Sequence, residues 1–245
     1  MIVITGPGRA GTSFLAGLYR ELGFDPGGTW DETVNAGLED AEFARLNMEV
    51  AAALGVAAAP GIGPRRMRWW SRQARRLPLR VRRPVDGVIH AVRYRRRTAD
   101  VMDWGRLDEV VARYGATMRD LAERTVVVKD PRFSWTMPVW LAAGAPVSSL
   151  VLALRPLDSM VTSRIRGGWI PEEARSWAVG NFAYGIGLVV SAASQYEVPV
   201  HQLRFPQFLD DPEGLFRALP LPEERTWEVF HAAFTGLRDD SLVHE

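Results

Sequence analysis

The sequence predicts a single-domain three-layer α/β/α sandwich with a central parallel sheet. Three observations carry that expectation. A short β-branched run, Ile2 to Thr5, runs straight into a glycine loop and then into a helical pattern. Apolar strand-length runs then alternate with segments of helical periodicity along the chain, and strands separated by helices must pair in parallel through right-handed crossovers. The chain has 245 residues, 47% hydrophobic and 24% charged, which suits one large core better than two domains.

The elements follow in order. Ile2 to Thr5 reads as a buried strand, and Thr12 to Leu22 as a helix whose apolar face carries Phe14, Leu15, Leu18 and Leu22. Further strands are expected at Thr125 to Val128, Leu150 to Leu154 and Val198 to Phe205. Helices are expected at Leu38 to Leu54, Leu107 to Glu123, Leu157 to Ile165, Glu172 to Ser194, Pro212 to Leu219 and Pro222 to Phe234. No internal repeat is visible. Residues 1–245 are read as one domain carrying a basic insertion at about 60–97.

Composition excludes several classes. With no cysteine there is no disulfide scaffold, thiolate metal site or cysteine nucleophile. His90, His201, His231 and His244 are scattered without metal-ligand spacing, so no zinc site is expected. No G-x-S-x-G elbow occurs. The net charge of +1 gives no global support for nucleic acid binding. No apolar run reaches the roughly 18 residues of a membrane-spanning helix, and the start lacks a signal-peptide pattern, so a cytoplasmic location is expected.

Chemistry concentrates at the first loop. GPGRAGTS has the glycine spacing of a P-loop, G-x-x-x-x-G-K-[ST], but places Thr12 where the lysine belongs. Reading the whole chain, Lys129 is the only lysine, and every other fixed cation is arginine. An ammonium is a compact point charge with rotatable donors, whereas guanidinium is a planar fork. A site that must follow moving charge can accept one and not the other. Lys129 ends the strand run TVVV, at the sheet edge where α/β proteins bind ligands.

The segment Pro64 to Arg97 breaks the pattern, being dense in arginine with Trp69, Trp70 and Tyr94 interleaved. A solvated basic insertion, a lid over an anionic substrate and a docking surface for an acidic partner all fit it. Trp135, Trp140, Trp169 and Trp177 suit either an acceptor pocket or, more commonly for such spacing, the core.

In conjunction, these residues resemble the sulfotransferases that use 3′-phosphoadenosine 5′-phosphosulfate, in particular their bacterial members. PGRAGTS is similar to the family's 5′-phosphosulfate loop. LRPLDSMVTSR is similar to its 3′-phosphate element, an Arg ending a strand and a Ser eight positions on. KDPR at Lys129 to Arg132 and the segment GLEDAEFARLN resemble further family elements, in the same order along residues 6 to 163.

The resemblance implies that Gly8, Arg9, Ala10, Gly11, Thr12 and Ser13 hold the 5′-phosphosulfate, and that Arg155 and Ser163 hold the 3′-phosphate. It implies sulfuryl transfer to an acceptor hydroxyl by in-line displacement, with 3′-phosphoadenosine 5′-phosphate as product and no metal. Lys129 and Arg9 are the expected catalytic cations. Glu39 is the expected general base and Asp130 the second candidate, because Pro131 stands where other members carry a histidine. A phosphosulfate has less charge to offset than a triphosphate with Mg²⁺, so backbone N–H groups, a helix N-terminus and one side-chain cation can suffice without a loop lysine. A P-loop small-molecule kinase using ATP and Mg²⁺ through Asp130 is the rival enzyme reading. A binding module using the basic segment, with a degenerate loop, is the rival outside catalysis. Small-molecule hydroxyls, sugars and peptide tyrosines remain open as acceptors.

Overall fold

The computed structural model describes residues 1–28, 30–31, 36–56, 102–167 and 170–239, and the basic segment at about 60–97 lies outside them. Among the described residues, six strands and eight α-helices form a mixed α/β fold. In chain order these are β1 (Ile2–Thr5), α1 (Thr12–Glu21), β2 (Trp30–Asp31), β3 (Ala36–Gly37), α2 (Ala41–Ala53), α3 (Leu107–Glu123), β4 (Val127–Lys129) and α4 (Phe133–Ala142). There follow β5 (Ser149–Leu154), α5 (Leu157–Arg166), α6 (Arg175–Gln195), β6 (Val200–Arg204), α7 (Pro212–Ala218) and α8 (Trp227–Asp239). A four-stranded sheet in the order β4-β1-β5-β6 is parallel throughout, and β2 with β3 makes a small antiparallel ribbon.

The sheet divides the core in two because successive strand side chains point to opposite faces. Ile2, Ile4, Val127, Val151 and Ala153 join one cluster with residues of α1, α5 and α8. Val3, Val128, Leu150 and Leu152 join the other with residues of α2, α3 and α4. Strands buried on both faces are continuous apolar runs rather than alternating ones, as IVIT and SLVLAL are.

Several boundaries differ from the sequence expectation. The strand expected at Thr125 to Val128 runs from Val127 to Lys129, because register with β1 pairs Ile4 with Lys129. The helix expected from Leu38 starts at Ala41, where the Asp40 carboxylate accepts from the Glu42 and Phe43 N–H groups as an N-cap. The helix expected at Pro222 to Phe234 is displaced to Trp227–Asp239, with non-helical chain after the prolines. Helix α4 was not expected at all. It is apolar on every side and has Pro138 inside it, so it shows neither the amphipathic period nor the composition of a helix. It lies against α2, α3 and α6, which explains why it needs no polar face.

With its preceding turn, α6 spans Glu172–Gln195 and is long and apolar enough, by length and composition, to cross a bilayer. The helix expected at Glu172 to Ser194 shows no unbroken apolar run of that length in the sequence because glycine and polar residues interrupt it. Here it packs on α4 and α5, with Ala178, Phe182, Val189, Ala192 and Ala193 in the core.

Candidate active site

All four parallel strands end on the same side, which carries the glycine loop after β1, the KDPR turn after β4, Arg155 after β5 and Phe205 after β6. Because β1 lies between β4 and β5, the loop is flanked by Lys129 on one side and Arg155 on the other. Crevices beyond the carboxyl ends of parallel strands, where the strand order reverses, are the usual ligand positions of such sheets.

The loop needs its glycines. Gly6 has φ +148°, and a Cβ there would stand 2.3 Å from the Ala153 carbonyl oxygen, which is backbone and cannot yield. Gly11 has φ +86° and abuts the Phe205 ring. Arg9 also adopts a left-handed φ of 75°, uncommon for a non-glycine residue. Helix α1 starts at Thr12 with no side-chain cap and no acidic residue in its first turn. Its first N–H groups therefore have no partner within the helix, and its positive end faces the loop.

The structure brings Arg9, Arg155 and Ser163 together. Arg9 Nε donates to Ser163 Oγ at 3.4 Å, and Arg155 Nη1 to the Arg9 carbonyl at 3.5 Å, while the Arg155 guanidinium lies over the Phe205 ring. Arg164, which the sequence reading did not single out, lies against Gly8, where a Cβ would meet its Nη2 at 2.1 Å. Its position one residue after Ser163, Arg9's partner on α5, becomes informative only once α5 is seen to pass beside the loop.

On the other side, the three residues Glu39, Lys129 and Asp130 come together with Arg132. Lys129 Nζ donates to the Gly37 carbonyl at 2.9 Å and to Glu39 Oε1 at 3.0 Å. Arg132 Nη1 donates to Glu39 Oε2 at 2.7 Å and to Asp130 Oδ1 at 2.9 Å, bridging the two carboxylates. Arg132 Nε is buried and has no partner among the described residues. The Lys129 side chain is 2% exposed and that of Glu39 29%, so the carboxylate is the part of the pair open to an incoming molecule.

Burial pushes the Glu39 carboxyl up, but the Lys129 and Arg132 charges and their hydrogen bonds outweigh it and leave it below the ordinary glutamate value. For Asp130 burial wins. Fully buried, it is held above the ordinary aspartate value, opposed by Arg132, reinforced by the Glu39 charge and opposed again by hydrogen bonds from Asn47 and the Arg132 N–H. Both Asp130 oxygens are taken, Oδ1 by Arg132 through backbone and side chain and Oδ2 by Asn47 Nδ2 at 2.8 Å. Thr5 Oγ1 donates to the Asp130 carbonyl at 3.1 Å, tying this turn to the end of β1 and so to the glycine loop.

Of the tryptophans considered for an acceptor pocket, Trp135 and Trp140 are core residues and Trp177 packs partly buried against the core, while Trp169 lies outside the described residues. Among the described residues no group of three or more His, Asp or Glu side chains is placed to hold a metal ion. Compared with known proteins, the chain matches no family model, no curated protein and no solved structure.

Proposed function

We propose that this protein transfers a sulfuryl group from 3′-phosphoadenosine 5′-phosphosulfate to an acceptor hydroxyl. The observation that carries the reading is the pairing of the chain's single lysine with Glu39 at 3.0 Å, one strand away from a glycine loop that lacks a lysine of its own. A cation for the leaving group and a base for the nucleophile are thus supplied side by side, from segments 90 residues apart.

The residues present fit such a donor. The loop presents backbone N–H groups and the uncapped start of α1 to one anionic group. Arg155 and Ser163, joined to the loop through Arg9, supply a cation and a hydroxyl for a second. The donor contributes an activated sulfur–oxygen bond, which breaks toward the phosphate as the acceptor oxygen bonds to sulfur.

In this scheme Glu39 Oε accepts the acceptor's hydroxyl proton, since it is the partly exposed carboxylate of the site. Lys129 offsets the charge that grows on the bridging oxygen, and Arg9 offsets charge at the loop, which is where preorganised cations contribute most. Arg132 holds the second Glu39 oxygen and so fixes the face that the acceptor meets. Asp130 is sealed in, with both oxygens bonded, which favours a supporting role over that of base. The same seal weighs against a kinase that would place a magnesium ion on Asp130.

A thermal-shift comparison tests the reading. The desulfonated donor, 3′-phosphoadenosine 5′-phosphate, is expected to raise the melting temperature without metal, and ATP with Mg²⁺ to have a smaller effect. Transfer of labelled sulfate to a panel of phenols, alcohols, sugars and tyrosyl peptides then identifies the acceptor. A larger shift with ATP and Mg²⁺ would replace the reading by the kinase, and no shift with either by a binding module.

A further inference from the structure

Behind Glu39 and Lys129 stands a second layer of polar side chains, completely buried, that the scheme above does not use. Asn47, on α2, is 0% exposed, as is Asp130. Trp140 Nε1 donates to Asn47 Oδ1 at 2.8 Å, and Thr136 Oγ1 donates to the same oxygen at 2.6 Å. An indole nitrogen can only donate, so the amide oxygen must face α4 and the amide nitrogen must face Asp130 Oδ2. The orientation of Asn47 is therefore determined by its neighbours. A buried polar network satisfied at every member is rigid and specific.

We propose that Asn47 is a positioning residue of this site, holding the Asp130 carboxylate as the counter-charge that keeps Arg132 shared between two carboxylates and leaves Glu39 able to accept a proton. The inference rests on the reading of Glu39 as the base. Among the described residues the charged groups facing Glu39 are two cations, Lys129 and Arg132, and, through Arg132, one carboxylate, Asp130. If Asp130 loses its charge, Glu39 stands alone against two cations and becomes a poorer base. Burial already presses Asp130 toward the protonated form, and the Asn47 amide is one of the few groups that opposes it. The amide thus acts on Glu39 at second hand, from α2 through Asp130 and Arg132.

Two variants test this. Asn47→Leu keeps side-chain size and removes the amide. The exchange Asn47→Asp with Asp130→Asn satisfies every hydrogen bond but moves the negative charge one residue away from Arg132. In each, the carboxyl ¹³C signal of Glu39, assigned by its absence in Glu39→Gln, is followed against pH, and sulfuryl transfer is measured in parallel. The Glu39 titration is expected to move to lower pH in both variants, with the acid limb of the rate profile moving alike. Turnover is expected to fall about tenfold, a fraction of the roughly 10²- to 10⁴-fold that a general base contributes, with little change in KM. An unmoved Glu39 titration with a lower melting temperature would make Asn47 merely structural, and an upward move would show Arg132 released; either overturns the proposal. Should Asn47→Leu not fold, the exchange variant decides. If the titration moves as expected but the parent protein transfers no sulfate, the positioning role stands and the sulfotransferase reading falls.

Discussion

Lys129→Arg preserves charge and uses the cation found at every other such position in the chain, yet it is expected to damage turnover severely. The ammonium sits in a closed space, 2% exposed, with the Gly37 carbonyl at 2.9 Å and Glu39 Oε1 at 3.0 Å from Nζ. A guanidinium adds a planar group of several atoms to that space, and overpacking of this kind costs about 1–3 kcal/mol of stability. The Coulombic pairing with Glu39 survives, so folding is expected to survive as well. Placement does not. A shift of about 1 Å in a group aimed at a reacting bond can cost roughly a hundredfold in rate, about 2.7 kcal/mol of barrier. If the proposed sulfuryl transfer holds, the interaction strengthens as the sulfur–oxygen bond breaks, so the loss should fall on kcat and leave donor affinity near the parent's. Lys129→Met separates charge from geometry. Among the described residues it leaves Glu39 paired with Arg132 alone, and breaking a buried ion pair costs about 3–5 kcal/mol, here toward the low end because Glu39 is 29% exposed. Single-turnover transfer of labelled sulfate gives the rate, and calorimetry with 3′-phosphoadenosine 5′-phosphate gives the affinity. A Lys129→Arg protein that turns over like the parent would refute the argument and move the catalytic cation to Arg132 or Arg9.

Other expectations are independent of that one. Arg155→Ala and Ser163→Ala should each weaken binding of the bisphosphorylated nucleotide by about 1.5–3 kcal/mol, the range for a charge-assisted hydrogen bond, and leave the analogue without a 3′-phosphate nearly unaffected; calorimetry that shows equal losses would deny them that role. Urea unfolding against pH should show opposite signs at the two carboxylates. Glu39, lowered in the folded state, adds stability above the ordinary glutamate value that is lost as pH falls through its folded value. Asp130, raised by burial, costs stability as pH rises from the ordinary aspartate value through its own. Glu39→Gln should therefore flatten the low-pH loss, and a curve identical to the parent's would show that Glu39 is not held as described. Gly6→Ala, with its Cβ 2.3 Å from a backbone oxygen and φ at +148°, should cost about 3 kcal/mol. Gly180→Ala, in open space within α6, should gain about 0.5–1 kcal/mol. Melting temperatures that rank these two the other way would contradict the placement of the loop against β5.

Local signals in the chain were sufficient for the alternation of strands and helices, the parallel pairing and the strand–loop–helix start. IVIT and SLVLAL are apolar but for Thr5 and Ser149 because both faces of the sheet are covered, and GPGRAGTS carries glycines where left-handed or crowded backbone requires them. Lys129 stood out by composition alone, and KDPR and GLED marked the neighbourhood of the site. What those segments do to one another was not legible. Glu39 meets Lys129 across 90 residues, and Asn47 meets Asp130 across 83, only because the strand order puts β4 beside β1 and α2 against α4. The family resemblance alone ranks Glu39 ahead of Asp130 as base; burial separates them physically, leaving one carboxylate partly open between two cations and sealing the other behind Asn47. Helix α4 was invisible for a related reason, since a helix surrounded by other elements has no polar face to give it a period. Periodicity and composition report on a residue's own element and its exposure, whereas a residue's ionisation, partners and reach depend on which elements pack beside it, and that is decided only when the sheet closes and the helices settle on it.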